Sequence, residues 1–499
     1  VKKSNTIKIN FHGGIISPGD LYNILVAAGH AGIHYVSFGL RQQLLIEADG
    51  ETAQKLCSEL EQLAIFYETD NDVFPNIVSS YPAEEVFIQN TWLSEGVYKD
   101  ILDGIDYRPR LKINISDSNQ SFTPMLTGNI NWVAAPDAQH FWHLFIRFPK
   151  TNIIYEWNQL VYTNDIARLS KTIEAGIFSN SKNFVDNKSA SGDALFKLID
   201  TTGFILKPAE NPARLPAFNL PYYEGLNRYS NKYWLGVYRR DERFNIGFLK
   251  NLCLLCLDTK IGQLCATPWK TIIVKGIEEK DKLRWNRLLE QHNINMRHAA
   301  NELNFQVEDN CDDGLQLKNY LIKKFNNDDL RTFGVCIGIK TRSKSEVFSS
   351  ILVKRRPLFK IFGLGLGYVY DILCAKDFNP NERTGFIFST FNFKFLLAEQ
   401  LRRCITSFYQ SREMLASTAK AIPIVKPKKE TNKSATTGIV QQCPHCLSIY
   451  DAATGDTENN IEPGTAFENL PVNYQCPVCE TGKTEFRHIE KSLLGLQPI

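Results

Sequence analysis

Four cysteines near the end of the chain have the types and spacing to hold a metal ion. They form two knuckles, Cys443-Pro444-His445-Cys446 and Cys476-Pro477-Val478-Cys479, separated by 29 residues. Two C-x-x-C pairs let four thiolates converge tetrahedrally on one ion, and both iron and zinc suit such a set. With iron the chemistry is single-electron transfer at a site whose ligands stay in place, and with zinc it is structural support.

The residues around the knuckles narrow this choice. Tyr450-Asp451, Gly455-Asp456, the run Ile461-Glu462-Pro463-Gly464-Thr465, Phe467, Leu470-Pro471, Tyr474, and Lys483 with Phe486 follow one another at fixed distances from the cysteines. Tyr450, Phe467, Tyr474 and Phe486 can build an aromatic core beneath the metal, which supplies most of the folding energy of so short a domain. In these positions the segment resembles rubredoxin, a small electron carrier with one iron on four cysteines. The resemblance implies a mononuclear iron site, with zinc as a substitute. One departure is that the family usually carries Gly after the second cysteine of each knuckle, whereas this chain has Leu447 and Glu480. A left-handed backbone there costs a non-glycine residue on the order of 1 kcal/mol.

The rest of the chain must fold and present this unit. At 499 residues it has room for three or four domains. A net charge of +3 provides no broad basic field, so neither nucleic acid nor an anionic membrane is expected as a partner. No apolar run reaches the roughly 18 residues of a membrane span, and the opening VKKSNTIKIN lacks the apolar core of a signal peptide. Eight of the 12 cysteines lie outside the metal site, scattered as reduced core thiols usually are, so a cytoplasmic protein is expected.

Ser17-Pro18-Gly19-Asp20 marks a helix start, and apolar spacing carries the helix to about Gly29. Strands are expected at 33–38 and 44–48, joined through Gly39-Leu40-Arg41-Gln42, and then an amphipathic helix at 51–65. Residues 261–276 repeat 33–48 position for position, with helical stretches at 244–257 and 280–292 on either side. Two such half-units usually pack about a pseudo-twofold axis. Each resembles a ferredoxin-like half-domain of the sirohaem nitrite and sulfite reductases, with Thr267-Pro268-Trp269-Lys270 as the second turn. The segment Arg110-Leu111-Lys112-Ile113-Asn114-Ile115-Ser116 is similar to that family's basic strand, where period two would put Arg110 and Lys112 on one face. The resemblance therefore implies an anion or sirohaem site formed by Arg41, Arg110, Lys112 and Lys270.

The cysteines depart from that family, whose cluster ligands come as C-x5-C or C-x6-C followed by C-x3-C. Cys311 and Cys336 stand alone, which argues against a 4Fe-4S cluster coupled to sirohaem. Three weaker constellations read as structure. Cys253-Leu254-Leu255-Cys256 has the apolar neighbours of core thiols, the run from Gly363 to Gly367 reads as a loop or tight crossing, and His140 and His143 face opposite sides of a strand.

The fold class expected is α+β: two nitrite/sulfite reductase-like α/β repeats, then a small rubredoxin-like iron-binding domain on a flexible tether. The divisions are 1–185 for the first half, 186–219 for a connecting segment, 220–416 for the second half, 417–440 for the linker and 441–490 for the rubredoxin-like domain. The second half ends in a helix, 391–410. The 24 linker residues, rich in Lys, Thr, Ser and Pro, span an r.m.s. distance of about 27 Å. The expected function is electron transfer to a redox partner, by resemblance a nitrite, nitrate or sulfite reductase. That makes the chain an electron-transfer component more than a self-sufficient reductase. The alternatives are a sirohaem reductase with a built-in donor and a zinc-bearing interaction module.

Overall fold

Helix caps set the repeat of the body. In the computed structural model, which describes residues 4–88, 91–342, 347–361, 364–382, 384–420, 439–446, 448–456, 459, 461–479 and 481–490, the Ser17 side chain accepts from the Asp20 N–H at the start of the helix Pro18–His30. Asn245 does the same for Phe248 at the start of the helix Ile246–Asp258. An offset of 228 residues carries one helix onto the other end for end. The same offset carries Gln42 (φ 63°) onto Lys270 (φ 57°), each at the left-handed turn between two strands. Those strands are Tyr35–Phe38 with Leu44–Ala48, and Leu264–Ala266 with Ile272–Ile277. Ser17→Ala removes a cap, and we expect urea unfolding of the body to show a loss of about 1 kcal/mol.

The two copies exchange strands reciprocally. Ile15–Ile16, just before the first helix, pairs with Leu264 and Cys265 of the second copy. Phe244–Asn245, just before the second helix, pairs with Val36 and Tyr35 of the first. The two helices pack on each other over one continuous core that includes Leu21, Ile24, Leu25, Leu249, Leu252, Cys253 and Cys256. Cys253 and Cys256 are therefore core thiols, and burial raises both above the ordinary cysteine value.

Each copy continues into a larger mixed sheet of like construction. Val78–Ser79, Ile113–Ser116 and Ile130–Ala134 run parallel, and Phe141–Arg147 returns antiparallel. Phe305–Val307, Ile337–Lys340 and Ile351–Ile361 run parallel, and Leu364–Ala375 returns antiparallel. Leu206–Pro208 joins the edge of the first of these sheets through Gln159–Tyr162. Basic residues 110 and 112 precede their strand, which begins at Ile113 rather than Arg110.

The helix Lys394–Lys420 is longer than its apolar spacing suggested, with Leu397, Leu401, Ile405 and Phe408 buried. Residues 417–420, expected in the tether, continue this helix, while residues 421–438 of the tether, and Leu447, Glu480 and Gly363, lie outside the described residues. The chain divides into two compact units, Val1–Ala419 and Lys420–Ile499. Among the described residues no helix is long and apolar enough to cross a membrane.

Candidate metal centre

Both cysteine knuckles are turns of short hairpins. Ile439–Gln442 leads into Cys443 and pairs with Ile449–Tyr450, and Arg487–Glu490 covers its other edge. The Cys443 N–H donates to Ser448 O at 2.9 Å. In the second knuckle the Cys476 N–H donates to Thr481 O at 2.8 Å, and a bridge between Gln475 and Gly482 closes the turn. Beneath them lie Tyr450, Leu470 and Tyr474, packed with Ile461, Phe467 and Phe486. The ring of Tyr450 is 5.6 Å from Phe467 and 5.8 Å from Tyr474, in tilted and edge contacts. The core's polar tips are satisfied, since Tyr450 Oη donates to Thr465 O (2.8 Å) and Tyr474 Oη to Asp456 Oδ2 (2.7 Å). Gly455 has φ 69°, and a Cβ there would meet Ile461 O at 2.5 Å, so this turn admits no larger residue without strain.

The four sulfurs of Cys443, Cys446, Cys476 and Cys479 lie within 4.8 Å of one another. Across the knuckles, Cys443 Sγ and Cys479 Sγ are 3.4 Å apart, as are Cys446 Sγ and Cys476 Sγ. A tetrahedron with metal–sulfur bonds of about 2.3 Å has edges of about 3.8 Å, so the set fits one ion. Cys443 and Cys476 are buried and Cys479 is exposed. Burial pushes the Cys443 thiol up, but N–H donors from Cys446 and His445 and the Thr481 hydroxyl outweigh it and bring the thiol to about 6. Ser448 lowers Cys446 through its hydroxyl first and then its N–H. Two of the four thiols are thus held toward the thiolate, the form that binds metal.

Comparison with known proteins agrees with this geometry. The rubredoxin family model matches residues 441–486. Rubredoxin-2 of Chlorobaculum tepidum is 50% identical over 48 residues, which are 10% of this chain and 92% of that protein. The chain belongs to the rubredoxin family. The high molecular weight rubredoxin of Moorella thermoacetica is 35% identical over 85 residues, 17% of this chain, and the chain spans 37% of that relative's length. The four-cysteine cluster of the rubredoxin domain implies a mononuclear iron. Outside this domain the likeness is one of fold. The NirA protein of Mycobacterium tuberculosis superposes with a TM-score of 0.58 at 14% identity, covering 81% of each chain. The body is a mixed α/β structure that resembles the NirA protein in fold.

The basic residues singled out from the sequence do not all meet. Arg41 and Lys112 line one cavity of about 1100 Å³ with Lys8, Arg147, Lys340 and Arg342. Arg110 turns elsewhere, its guanidinium 4.5 Å over the Phe178 ring. Arg41 is buried and works as a cross-tie, donating to Asn76 O (2.7 Å) and Ile113 O (3.1 Å), and burial pushes it down to about 10. Lys270 is buried 2.6 Å from Glu242 and 3.4 Å from Asp309, and also donates to Glu308 O. Lys8 is paired with Glu68 and Asp72. Of the two histidines, His140 precedes its strand at φ 63°, and His143 lies within it with Nδ1 3.6 Å from Glu156. The sequence reading passed over Lys8, Arg147, Lys340 and Arg342, because distant segments bring them together and no spacing signals it.

Burial, then the nearby Arg41, pushes Lys112 down to about 8, against the pull of Asp72. We expect pH-resolved acylation with peptide mass spectrometry to give Lys112 a midpoint near 8, against about 10.4 for ordinary lysines. Because the folded value lies below the unfolded one, its charged form opposes folding, and stability rises with pH between about 8 and 10.4.

Proposed function

We propose that this chain is an electron-transfer protein in which iron on Cys443, Cys446, Cys476 and Cys479 passes single electrons to an oxidoreductase, with a nitrite, nitrate or sulfite reductase as the partner. The observation that carries this reading is the convergence of four sulfurs on two hairpin turns within a rubredoxin domain. When bound, iron supplies a one-electron change that needs no bond to the partner. The chain's own residues supply the access. Cys479 is exposed, and beside it Val478 (69% exposed) presents an apolar contact to a docking protein. Encounters of redox proteins are small, below about 1,200 Å². The class of partner rests on the sequence resemblance of the body to nitrite and sulfite reductases.

A specific observation favours a second reading, a sirohaem reductase with the rubredoxin domain as donor, namely the large cavity lined by cations. Three of the seven cations that line it are already engaged by the protein's own groups. Lys8 is paired with carboxylates, Arg41 is spent on backbone carbonyls, and Arg342 donates to Asp309 O and Asn310 O. Asp72, Glu308 and Asp309 stand among them. We therefore favour the carrier, working in a reducing compartment such as the cytoplasm.

Stopped-flow mixing tests the partner class. The reduced chain, mixed with nitrite or sulfite reductase from the same source and its substrate, is expected to reoxidise at least tenfold faster than with substrate alone. Equal rates with and without every such reductase would remove this class of partner.

A further inference from the structure

Ser448 and Thr481 occupy the same place in the two knuckles, each two residues past the second cysteine. Ser448 Oγ lies 2.9 Å from Cys476 Sγ and 3.2 Å from Cys446 Sγ. Thr481 Oγ1 lies 3.0 Å from Cys479 Sγ. Ser448 thus spans the sulfurs of Cys446 and Cys476, which approach to 3.4 Å, and Thr481 meets the sulfur of Cys479, itself 3.4 Å from Cys443 Sγ. Two side chains thereby touch three of the four ligands.

We propose that the Ser448 and Thr481 hydroxyls are donors to the iron-bound thiolates and raise the reduction potential of the site above that of the same site without them. This rests on the electron-transfer reading above. The direction of the hydrogen bonds follows from the chemistry: a metal-bound cysteine carries no S–H, so the sulfur accepts and the hydroxyl donates. Reduction adds one negative charge to the iron and its sulfurs. A hydrogen bond to an acceptor of greater charge is stronger, so each O–H stabilises the reduced form more than the oxidised one. The backbone N–H groups of the same two residues also point at sulfurs, Ser448 at Cys446 and Thr481 at Cys479, and every side-chain substitution leaves them in place. The hydroxyls can therefore be removed one at a time while those N–H donors and the four ligands stay. Ser448 and Thr481 are positioning residues for the potential and touch no substrate.

The test is the midpoint potential of the iron-loaded full chain, followed through the visible band, for the wild type, Ser448→Ala, Thr481→Val, the double variant and Thr481→Ser. Each loss of a hydroxyl is expected to lower the equilibrium constant for reduction by about three- to tenfold. The double variant should shift by at least about tenfold, or 59 mV for one electron, to more negative potential. Thr481→Ser, which restores the hydroxyl, should return to the wild-type value. Should the double variant fail to load iron, the single variants decide in the same way. Variants that hold one iron per chain at the wild-type potential would overturn the proposal, as would Thr481→Ser shifting as far as Thr481→Val. A wild-type chain with iron but no reversible couple would overturn the carrier reading itself, which is a different result.

Discussion

Cys443→Ala is expected to lose iron, visible absorption and redox activity together, and to unfold the C-terminal unit while leaving the body intact. Cys443 is buried, and its sulfur is 3.4 Å from that of Cys479, so the variant keeps three thiolates around a hole. The unit's apolar core is essentially Tyr450, Leu470 and Tyr474 with a few half-buried neighbours, too little to hold so short a chain without a staple. Binding of an ion by four such ligands contributes on the order of 10 kcal/mol to small metal domains, so its loss exceeds any margin this unit has. Iron analysis, the visible spectrum and limited proteolysis read the outcome. Retention of one iron per chain with an unchanged couple would contradict the ligand assignment.

Lys270→Ala is expected to destabilise the body by about 3–5 kcal/mol, the cost of leaving buried carboxylates without their cation. Lys270 stands between Glu242 (2.6 Å) and Asp309 (3.4 Å), and Lys318 reaches Glu242 at 3.3 Å. Burial pushes the Glu242 carboxyl up, but Lys270 and Lys318 outweigh it and hold it below the ordinary range. Its pairing therefore contributes stability that is present above the unfolded carboxylate value and is lost as pH falls through the lower folded one. Burial raises Asp309 despite Lys270. Urea unfolding of the body should show the loss, largest near neutral pH, while the iron spectrum stays as in the wild type. An unchanged midpoint would mean that Lys270 is free to bind something else, as the anion-site expectation had it.

The metal centre was legible because ligand type and spacing carry the information directly. Two C-x-x-C pairs with aromatics at set distances specify the hairpins, the small core and the ion together. The helix caps were legible for the same local reason, since Ser17 announces a start whatever the tertiary context. The repeat was visible only over residues 33–48 and their match at 261–276, where most positions are buried. It was invisible in the larger sheets, because Ile113–Ser116 and Ile337–Lys340 are four residues long and share only their two isoleucine positions. The exchanged strands Ile15–Ile16 and Phe244–Asn245 are two residues long and have no period to read. Arg41 and Lys270 were read as anion ligands because a charge in a sequence does not name its partner; the fold supplies carbonyls to one and carboxylates to the other. The Ser448 and Thr481 hydroxyls stand at equal distances past each knuckle, but spacing alone does not show that a side chain turns toward the sulfurs.

If the four sulfurs hold a redox-active iron, metal analysis with cyclic voltammetry on protein purified from its native source will show one iron per chain, a visible thiolate-to-iron band and a reversible one-electron wave. A full complement of zinc, with no colour and no wave, would contradict that assignment.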